Sequence, residues 1–196
     1  MKKTALTIAG LSLLLTACGE AQIEPEATPA PEATEMPLPD ATGTESLPSM
    51  MNARGTFVSG SGIVIGDANL IEGPNGLQLR VTINPGGLEP GWHGLHLHQV
   101  GDCSDFGVFT NSGGHVGKVE GGHGLLNPAG PEGGDIPNIW AGADGSAGYE
   151  TFTTLTTGAE LLDENGSAII IHTAEDDHLS QPIGGAGARV ACAVLN

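Results

Sequence analysis

Positively charged side chains are scarce in this sequence. Its 196 residues include 6 Lys and Arg against 23 Asp and Glu, which gives a formal net charge of −17 at pH 7. A nucleic-acid interface requires clustered basic side chains, so this balance argues against a nucleic-acid partner. The acidic excess by itself indicates no more than solubility.

The apolar run near the N-terminus is too short to span a bilayer as a mature helix. Residues 1–18, MKKTALTIAGLSLLLTAC, begin with a basic pair, continue with apolar side chains and end in small residues, which predicts a secretory signal peptide. Cys18 stands at the cleavage position and resembles the lipidated cysteine of bacterial lipoproteins. We therefore expect a lipid anchor on Cys18 as the membrane contact; the alternative is an ordinary signal peptide with a chance cysteine.

Residues 19–52 lack apolar periodicity and are rich in Pro, Glu, Ala and Thr. Such a segment cannot bury enough apolar surface to offset its chain entropy, so it is predicted to be a disordered tether. The remainder, residues 53–196, has the length of one ordinary domain.

Aromatic residues make up 4% of the chain, and no convincing helical stretch is present. Aliphatic and β-branched runs separated by Gly, Pro and Asn predict an all-β sandwich or barrel. Residues 76–83, GLQLRVTI, alternate with period two, as expected for a strand with one buried face. Two Gly-rich stretches, 101–138 and 173–188, are too long for simple turns, and such loops often carry a functional site.

Histidine, in contrast, is concentrated in one short segment. GWHGLHLHQVGDC, residues 91–103, holds three of the seven histidines. On a strand, His96 and His98 would point the same way, because residues two apart lie on one face. Neutral imidazole is a ligand for copper and zinc, so this pair predicts a metal site. Further donors are available at His115, His123 and His172.

The sequence has three cysteines. If Cys18 is lipidated, Cys103 and Cys192 remain, and two remaining cysteines in an exported chain suggest one disulfide. The bond would tie the segment after the H-x-H strand to the last strand. Two buried free thiols are the alternative.

Several of these segments together resemble the copper,zinc superoxide dismutase family in its bacterial exported form. The similar segments occur in family order: GWHGLHLHQVGDC, GGH at 113–115, GGDIPN at 133–138, IIIHTAEDD and GGAGARVACAVL. The resemblance implies a Greek-key β-barrel of about eight strands with two long functional loops. It also implies a copper enzyme that converts superoxide to oxygen and hydrogen peroxide and so protects the cell envelope from oxidative damage.

The resemblance implies two adjacent metal sites that share one histidine. The implied copper ligands are His96, His98, His115 and His172. The implied zinc ligands include His115, His123 and Asp135. The shared residue, His115, would also act in catalysis by releasing copper and carrying a proton.

Other residues match supporting positions of the family. Asp176 matches the carboxylate that links a copper histidine to a zinc histidine, and Arg189 matches the arginine that guides superoxide to copper. Cys103 and Cys192 match the family's disulfide. His93 matches a structural histidine, so we expect that it binds no metal.

The sequence departs from the family at the third zinc histidine, where Glu132 stands. Because carboxylates bind zinc, Glu132 either completes the zinc site or is a solvated loop residue beside a weak or absent zinc.

The segment after His172 carries Glu175, Asp176 and Asp177 and no lysine. Attraction of an anionic substrate should therefore be weaker than in typical members.

Two other interpretations stay open. A lipoprotein of the same fold could hold or buffer copper with little dismutase activity. A cupin also carries an H-x-H strand, but the GARVAC ending has no place in that fold.

The predicted signal and anchor indicate the bacterial cell envelope, facing the periplasm or the outer surface, and we expect a monomer or a homodimer.

Overall fold

The computed structural model describes residues 51–196. The predicted signal peptide, its lipidated Cys18 and residues 19–50 of the predicted tether lie outside the described residues. The first strand begins at Asn52, where the predicted tether ends. Among residues 51–196, no helix is both long enough and apolar enough to cross a membrane.

The described chain is built almost entirely of strands. These are β1 (Asn52–Ser59), β2 (Val64–Gly73), β3 (Gly76–Ile83), β4 (Gly91–His93), β5 (Leu95–His98), β6 (Ile139–Ala141), β7 (Ala147–Thr153), β8 (Ser167–His172) and β9 (Arg189–Leu195). The all-β prediction is confirmed. The count exceeds the expected eight because Gly94 alone separates β4 from β5.

Seven strands form one antiparallel sheet in the order β5, β8, β9, β1, β2, β3 and β7. After β3, beside β7 at one edge, the chain crosses to β5 at the opposite edge, which is the long connection of a Greek key. β4 pairs with β6 in a second sheet. Because β4 leads into β5 and β6 into β7, this small sheet joins the two edges and the strands curl into a barrel.

The core of the barrel follows the period-two pattern of the strands. Leu77, Leu79, Val81 and Ile83 of β3 are buried, whereas Arg80 between them is exposed. The inward side chains of the neighbouring strands join them in one apolar cluster. This cluster is the rigid scaffold on which the long loops are held.

One short helix, α1 (Gly158–Leu161), was not expected from the sequence. The Thr157 hydroxyl accepts a hydrogen bond from the Glu160 N–H, and the Glu160 carboxylate accepts one from the Thr157 N–H. This is a capping box, and Leu161 anchors the turn in the core. A single turn is too short to show apolar periodicity, which explains why the pattern was missed.

Two long connections occupy the Gly-rich stretches that were predicted to be loops. Residues 99–138 connect β5 to β6, and residues 173–188 connect β8 to β9. The Cys103–Cys192 disulfide is present and confirms the predicted pair. Cys103 lies near the start of the first connection, and Cys192 lies in β9, which directly follows the second connection.

Candidate metal centre

Strand β5 sets the position of the paired histidines. Leu95 and Leu97 point into the apolar core, so alternation sends His96 and His98 to the opposite face. Both imidazoles are nevertheless buried, with 0% and 1% exposure. Residues 99–138 and 173–188 therefore cover that face and remove it from solvent.

Residues 99–138 return to β5 and pair with it through the main chain. The Val116 N–H donates to the Leu97 carbonyl, and the Leu97 N–H donates to the Gly134 carbonyl. A Cβ atom on Gly134 would lie 2.2 Å from the Leu97 carbonyl oxygen, so only glycine permits this approach. The pairing brings His115 beside His98 and Asp135 beside His96.

Four buried imidazoles share one arrangement: one ring nitrogen is hydrogen-bonded and the other has no partner. The free nitrogens are His96 Nδ1, His98 Nε2, His115 Nε2 and His172 Nε2. The other ring nitrogen of His96 is 2.7 Å from Asp176 Oδ2, and that of His98 is 2.9 Å from the Gly113 carbonyl oxygen. The other ring nitrogen of His115 is 2.8 Å from Glu132 Oε2, and that of His172 is 3.0 Å from the Gly187 carbonyl oxygen. Buried nitrogens are rarely left unpaired. Ligand atoms of His96, His98 and His172 lie within 4.8 Å of one another, so these three fit the donor set of a copper ion, and the His115 ring lies beside them, 4.3 Å from that of His96.

Burial keeps three of these rings, those of His96, His98 and His172, in the neutral form that binds metal. Burial lowers the pKa of His96 to about 4 and the pKa of His172 to about 3. Burial also lowers the pKa of His98 well below its ordinary value. Neutral imidazoles offer a lone pair to a metal, whereas protonated ones do not.

A second set of donor atoms lies next to the first. His115 Nδ1 is 2.8 Å from Glu132 Oε2 and 3.2 Å from Asp135 Oδ1, and His123 Nδ1 is 2.8 Å from the same Asp135 oxygen. All four side chains are buried, including Glu132 at 3% exposure. This burial contradicts the alternative in which Glu132 is a solvated loop residue. His115, His123 and Asp135 belong, together with His96, to a group whose ligand atoms all lie within 4.8 Å of one another, and Glu132 contacts this group through His115. Imidazole nitrogens and carboxylate oxygens are donors that suit zinc.

Each carboxylate of this second set has one oxygen held by the main chain. Asp135 Oδ2 accepts hydrogen bonds from the N–H groups of Gly124 at 2.7 Å and Glu132 at 2.8 Å. Glu132 Oε1 accepts one from the Val119 N–H at 3.1 Å. The remaining oxygen of each carboxylate faces the histidines and is oriented to bind a metal through one atom.

His123 and Asp135 form an ion pair within this set. Burial opposes protonation of His123, but its hydrogen bonds to Asp135 and Asp176 raise its pKa to about 10. Burial would likewise raise the pKa of Asp135, but hydrogen bonds from His115 and His123 hold that pKa well below its ordinary range. A bound cation would replace the proton on His123 as the partner of these carboxylates.

Asp176 connects the two sets of donors. Its Oδ2 lies 2.7 Å from His96 Nε2, and its Oδ1 lies 3.2 Å from His123 Nε2. The carboxylate is buried, and Asn138 holds its main chain through hydrogen bonds at both the N–H and the carbonyl. It orients one histidine of each set, as expected for an outer carboxylate of a metal centre.

Arg189 begins β9 and lies beside the first set, where residues 109–113 offer it three acceptors. Its Nη1 donates to the Phe109 carbonyl at 2.6 Å and to Ser112 Oγ at 3.1 Å, and its Nη2 donates to the Gly113 carbonyl at 2.8 Å. The side chain remains partly exposed. It lines a cleft of about 290 Å³ together with His172 and Ile183. A fixed positive charge thus faces solvent beside the histidines.

His93 contacts only main-chain oxygens. Its Nδ1 is 2.7 Å from the His172 carbonyl, and its Nε2 is 2.7 Å from the Glu89 carbonyl. No ring nitrogen is left for a metal, so the geometry is that of the structural role expected from the sequence. The ring joins the end of β8 to the segment that precedes β4.

Three contacts at the centre were not found by sequence reasoning. Asn138 holds the main chain of Asp176, Gln181 bonds the N–H and carbonyl of His123, and Ser112 contacts Arg189. Asn138 lies within the GGDIPN segment, but its pattern did not indicate this contact. For the other two no sequence signal exists, because each partner is distant along the chain.

Comparisons with known proteins agree with this geometry. A family described as copper/zinc superoxide dismutase matches residues 64–195. A protein named superoxide dismutase [Cu-Zn] from Caulobacter vibrioides is 44% identical over 151 residues, which cover 74% of this chain and 85% of that protein.

Two solved structures share the fold. A double mutant of a superoxide dismutase-like protein from Bacillus subtilis has a TM-score of 0.65 and 36% identity, covering 72% of this chain and 95% of that one. A Cu/Zn superoxide dismutase from Brucella abortus has a TM-score of 0.62 and 26% identity, covering 74% and 100%. The chain belongs to the copper/zinc superoxide dismutase family.

Proposed function

We propose that this protein dismutates superoxide to oxygen and hydrogen peroxide at a copper ion held by His96, His98, His115 and His172. The observation that carries the proposal is that each of these four rings has one buried nitrogen without a hydrogen-bond partner. Each ring is already oriented through its other nitrogen, so the protein presents a preorganised site for the metal. Copper, when bound there, supplies the one-electron steps of the reaction.

Arg189 binds and orients the anionic substrate. Its guanidinium is fixed by three acceptors, and its position in the cleft beside His172 places a positive charge where superoxide arrives. Because the arginine is oriented before substrate binds, little reorganisation is needed when the anion enters. Glu175 and Asp177 are exposed on residues 173–188, so long-range attraction of the anion is weak and Arg189 acts at short range.

His115 is placed to hold the proton that the peroxide product requires. Its Nε2 is buried without a hydrogen-bond partner, and its Nδ1 contacts Glu132. The His115 ring centroid lies 4.3 Å from that of His96 and 5.1 Å from that of His98. A proton can therefore reside on Nε2 while the ring keeps its position.

The zinc site is proposed to consist of His115, His123, Glu132 and Asp135. Two carboxylates make this ligand set one charge more negative than three histidines and one aspartate. The test is a zinc competition titration against a chelator, with cobalt(II) absorption to report tetrahedral ligation. Glu132→Gln should weaken zinc binding about 10-fold or more and Glu132→His should restore it. The exposed Glu120→Gln is the control, and unchanged affinity in Glu132→Gln would remove Glu132 from the ligand set.

The dismutase proposal is tested by superoxide consumption of the copper-loaded protein, with and without zinc. Arg189→Ala should slow the reaction by about 10-fold or more, since a preorganised charge is lost. Arg80→Ala is the control, because Arg80 lies on the exposed face of β3 in an ion pair with Glu150. A rate no faster than that of free copper, with tight copper binding retained, would instead identify a copper-holding protein.

The location in the cell is a separate proposal that depends on the sequence. The signal-like residues 1–18 and the position of Cys18 support a lipoprotein anchored in the bacterial envelope, where it would protect that compartment from superoxide. Metabolic labelling with a tagged fatty acid tests the anchor. Label incorporation that is lost in Cys18→Ser would support it, and label retained in that variant would contradict it.

A further inference from the structure

A buried serine lies between the arginine of the cleft and a histidine of the copper site. Ser112 belongs to a 3₁₀ turn, Thr110–Ser112, and its side chain has 0% exposure. Its Oγ is 3.1 Å from Arg189 Nη1, 3.3 Å from His98 Nδ1 and 2.8 Å from the Phe109 carbonyl oxygen. One hydroxyl therefore contacts both groups.

The hydrogen-bond donors and acceptors around Ser112 determine where its proton lies. Arg189 can only donate, so the hydroxyl oxygen accepts from Nη1. His98 Nδ1 is 2.9 Å from the Gly113 carbonyl, which can only accept, so Nδ1 carries a hydrogen. The hydroxyl proton must then go to the Phe109 carbonyl. This arrangement keeps His98 in the tautomer whose Nε2 is free for a metal.

The loop around Ser112 is itself held in an uncommon conformation. Phe109 has φ 48° and Gly113 has φ 75°, both in the left-handed region, and these two residues provide the carbonyls that bind Arg189. Asp105 Oδ2 accepts hydrogen bonds from the N–H and hydroxyl of Thr110, both at 2.7 Å. A non-glycine residue adopts this conformation only where its surroundings impose it, so the turn is built to place these acceptors.

We propose that Ser112 is a positioning residue that fixes the Arg189 guanidinium relative to His98 and thereby sets the affinity of the cleft for small anions. The inference rests on the proposed function, since it takes the cleft as the place where the anion meets copper. The Phe109 and Gly113 carbonyls hold the two ends of the guanidinium, but both are main-chain groups of one loop. Ser112 adds a side-chain contact that also touches the copper ligand.

The experiment is an azide titration of the copper(II)-loaded full chain, followed by visible absorption and by electron paramagnetic resonance. Ser112→Ala should weaken azide binding about 5-fold, because a hydrogen bond to a charged group is lost while two others remain. Ser167→Ala is the matched control. Ser167 is equally buried, but its Oγ has no hydrogen-bond partner, so this variant should bind azide as the wild type does.

A double-mutant cycle separates positioning from a general effect on the site. In an Arg189→Ala background, Ser112→Ala should change azide affinity by less than about 2-fold, because the residue acts through the arginine. The same loss in both backgrounds, or no loss in either, would overturn the proposal. Azide binding does not require turnover, so an inactive protein that shows the expected cycle would contradict the dismutase proposal and leave the role of Ser112 standing.

A second measurement does not depend on copper. In the metal-free protein, side-chain NMR of Arg189 should show separate Nη signals, since three acceptors restrict rotation of its guanidinium. In Ser112→Ala these signals should broaden or merge as rotation becomes faster. Signals that stay as well separated as in the wild type would show that the two carbonyls suffice, and the proposal would fail.

Discussion

Removal of the Cys103–Cys192 disulfide should destabilise the protein strongly. The bond closes a loop across a sequence separation of 89 residues, so its loss releases a large amount of chain entropy in the unfolded state. The loop-entropy relation gives about 4 to 5 kcal/mol at 25 °C for a loop of this length. That is a large part of the roughly 5 to 15 kcal/mol by which a domain is stable.

The clean substitution is the double variant Cys103→Ala and Cys192→Ala. Cys192 has 0% exposure and packs with Phe109, Ala168 and Ile170, so alanine avoids burying a new hydroxyl there. Guanidinium denaturation of the metal-free protein should show a lower free energy of unfolding and a slightly steeper dependence on denaturant, because the uncrosslinked chain unfolds further. Metal must be absent, since bound ions add stability by mass action.

The wild-type protein, reduced and alkylated after unfolding, serves as the reference for the uncrosslinked chain. A loss below about 1 kcal/mol in the alanine variant would refute the reasoning and would mean that the unfolded state is already compact around these positions. We also expect weaker azide binding, since the disulfide anchors residues 99–138, whose carbonyls hold Arg189. Unchanged azide affinity would show that Asp105 and the 3₁₀ turn keep the loop in place without the covalent bond.

Three further predictions follow from single contacts. Asp176→Asn should lower copper and zinc affinity by about 10- to 100-fold in chelator competition, because one amide cannot accept from both His96 and His123; unchanged affinity of both metals would contradict this. Gly134→Ala should lower the free energy of unfolding by about 3 kcal/mol or more, since its Cβ would lie 2.2 Å from a carbonyl oxygen. The control Gly148→Ala, with open space around its Cβ, should lower it by less than about 0.5 kcal/mol. Arg189→Lys should weaken azide binding by about 5-fold or more despite the retained charge, because lysine lacks the planar fork that its acceptors orient; wild-type affinity would show that charge alone suffices.

The fold could be predicted from the sequence in its class and in its alternating strands. Residues 76–83 alternate in burial as their sequence pattern requires, and the two Gly-rich stretches form the loops. Helix α1 escaped prediction because one turn has no periodicity. The division of one histidine-rich segment into β4 and β5 was also not predicted. At Gly94, between the two strands, the main chain hydrogen-bonds to residues 172 and 174 at the end of the neighbouring β8.

The spacing of the histidines indicated a metal site directly, whereas Asp135, Asp176 and Arg189 were identified through the resemblance. It left Glu132 open between a ligand and a solvated residue. Its burial and its 2.8 Å contact with His115 depend on how residues 99–138 fold back on β5, and no local pattern encodes that path.

The sequence alone determined the alternation of the strands, the placement of two histidines on one face of β5 and the availability of one cysteine pair. These properties are local, since strand geometry and residue type are sufficient to specify them. Only the tertiary structure decided which nitrogen of each imidazole is free, that Glu132 faces His115, and that Ser112 lies between His98 and Arg189. Those properties depend on groups up to 80 residues apart, which come together when the loops pack on the barrel and bury their polar atoms.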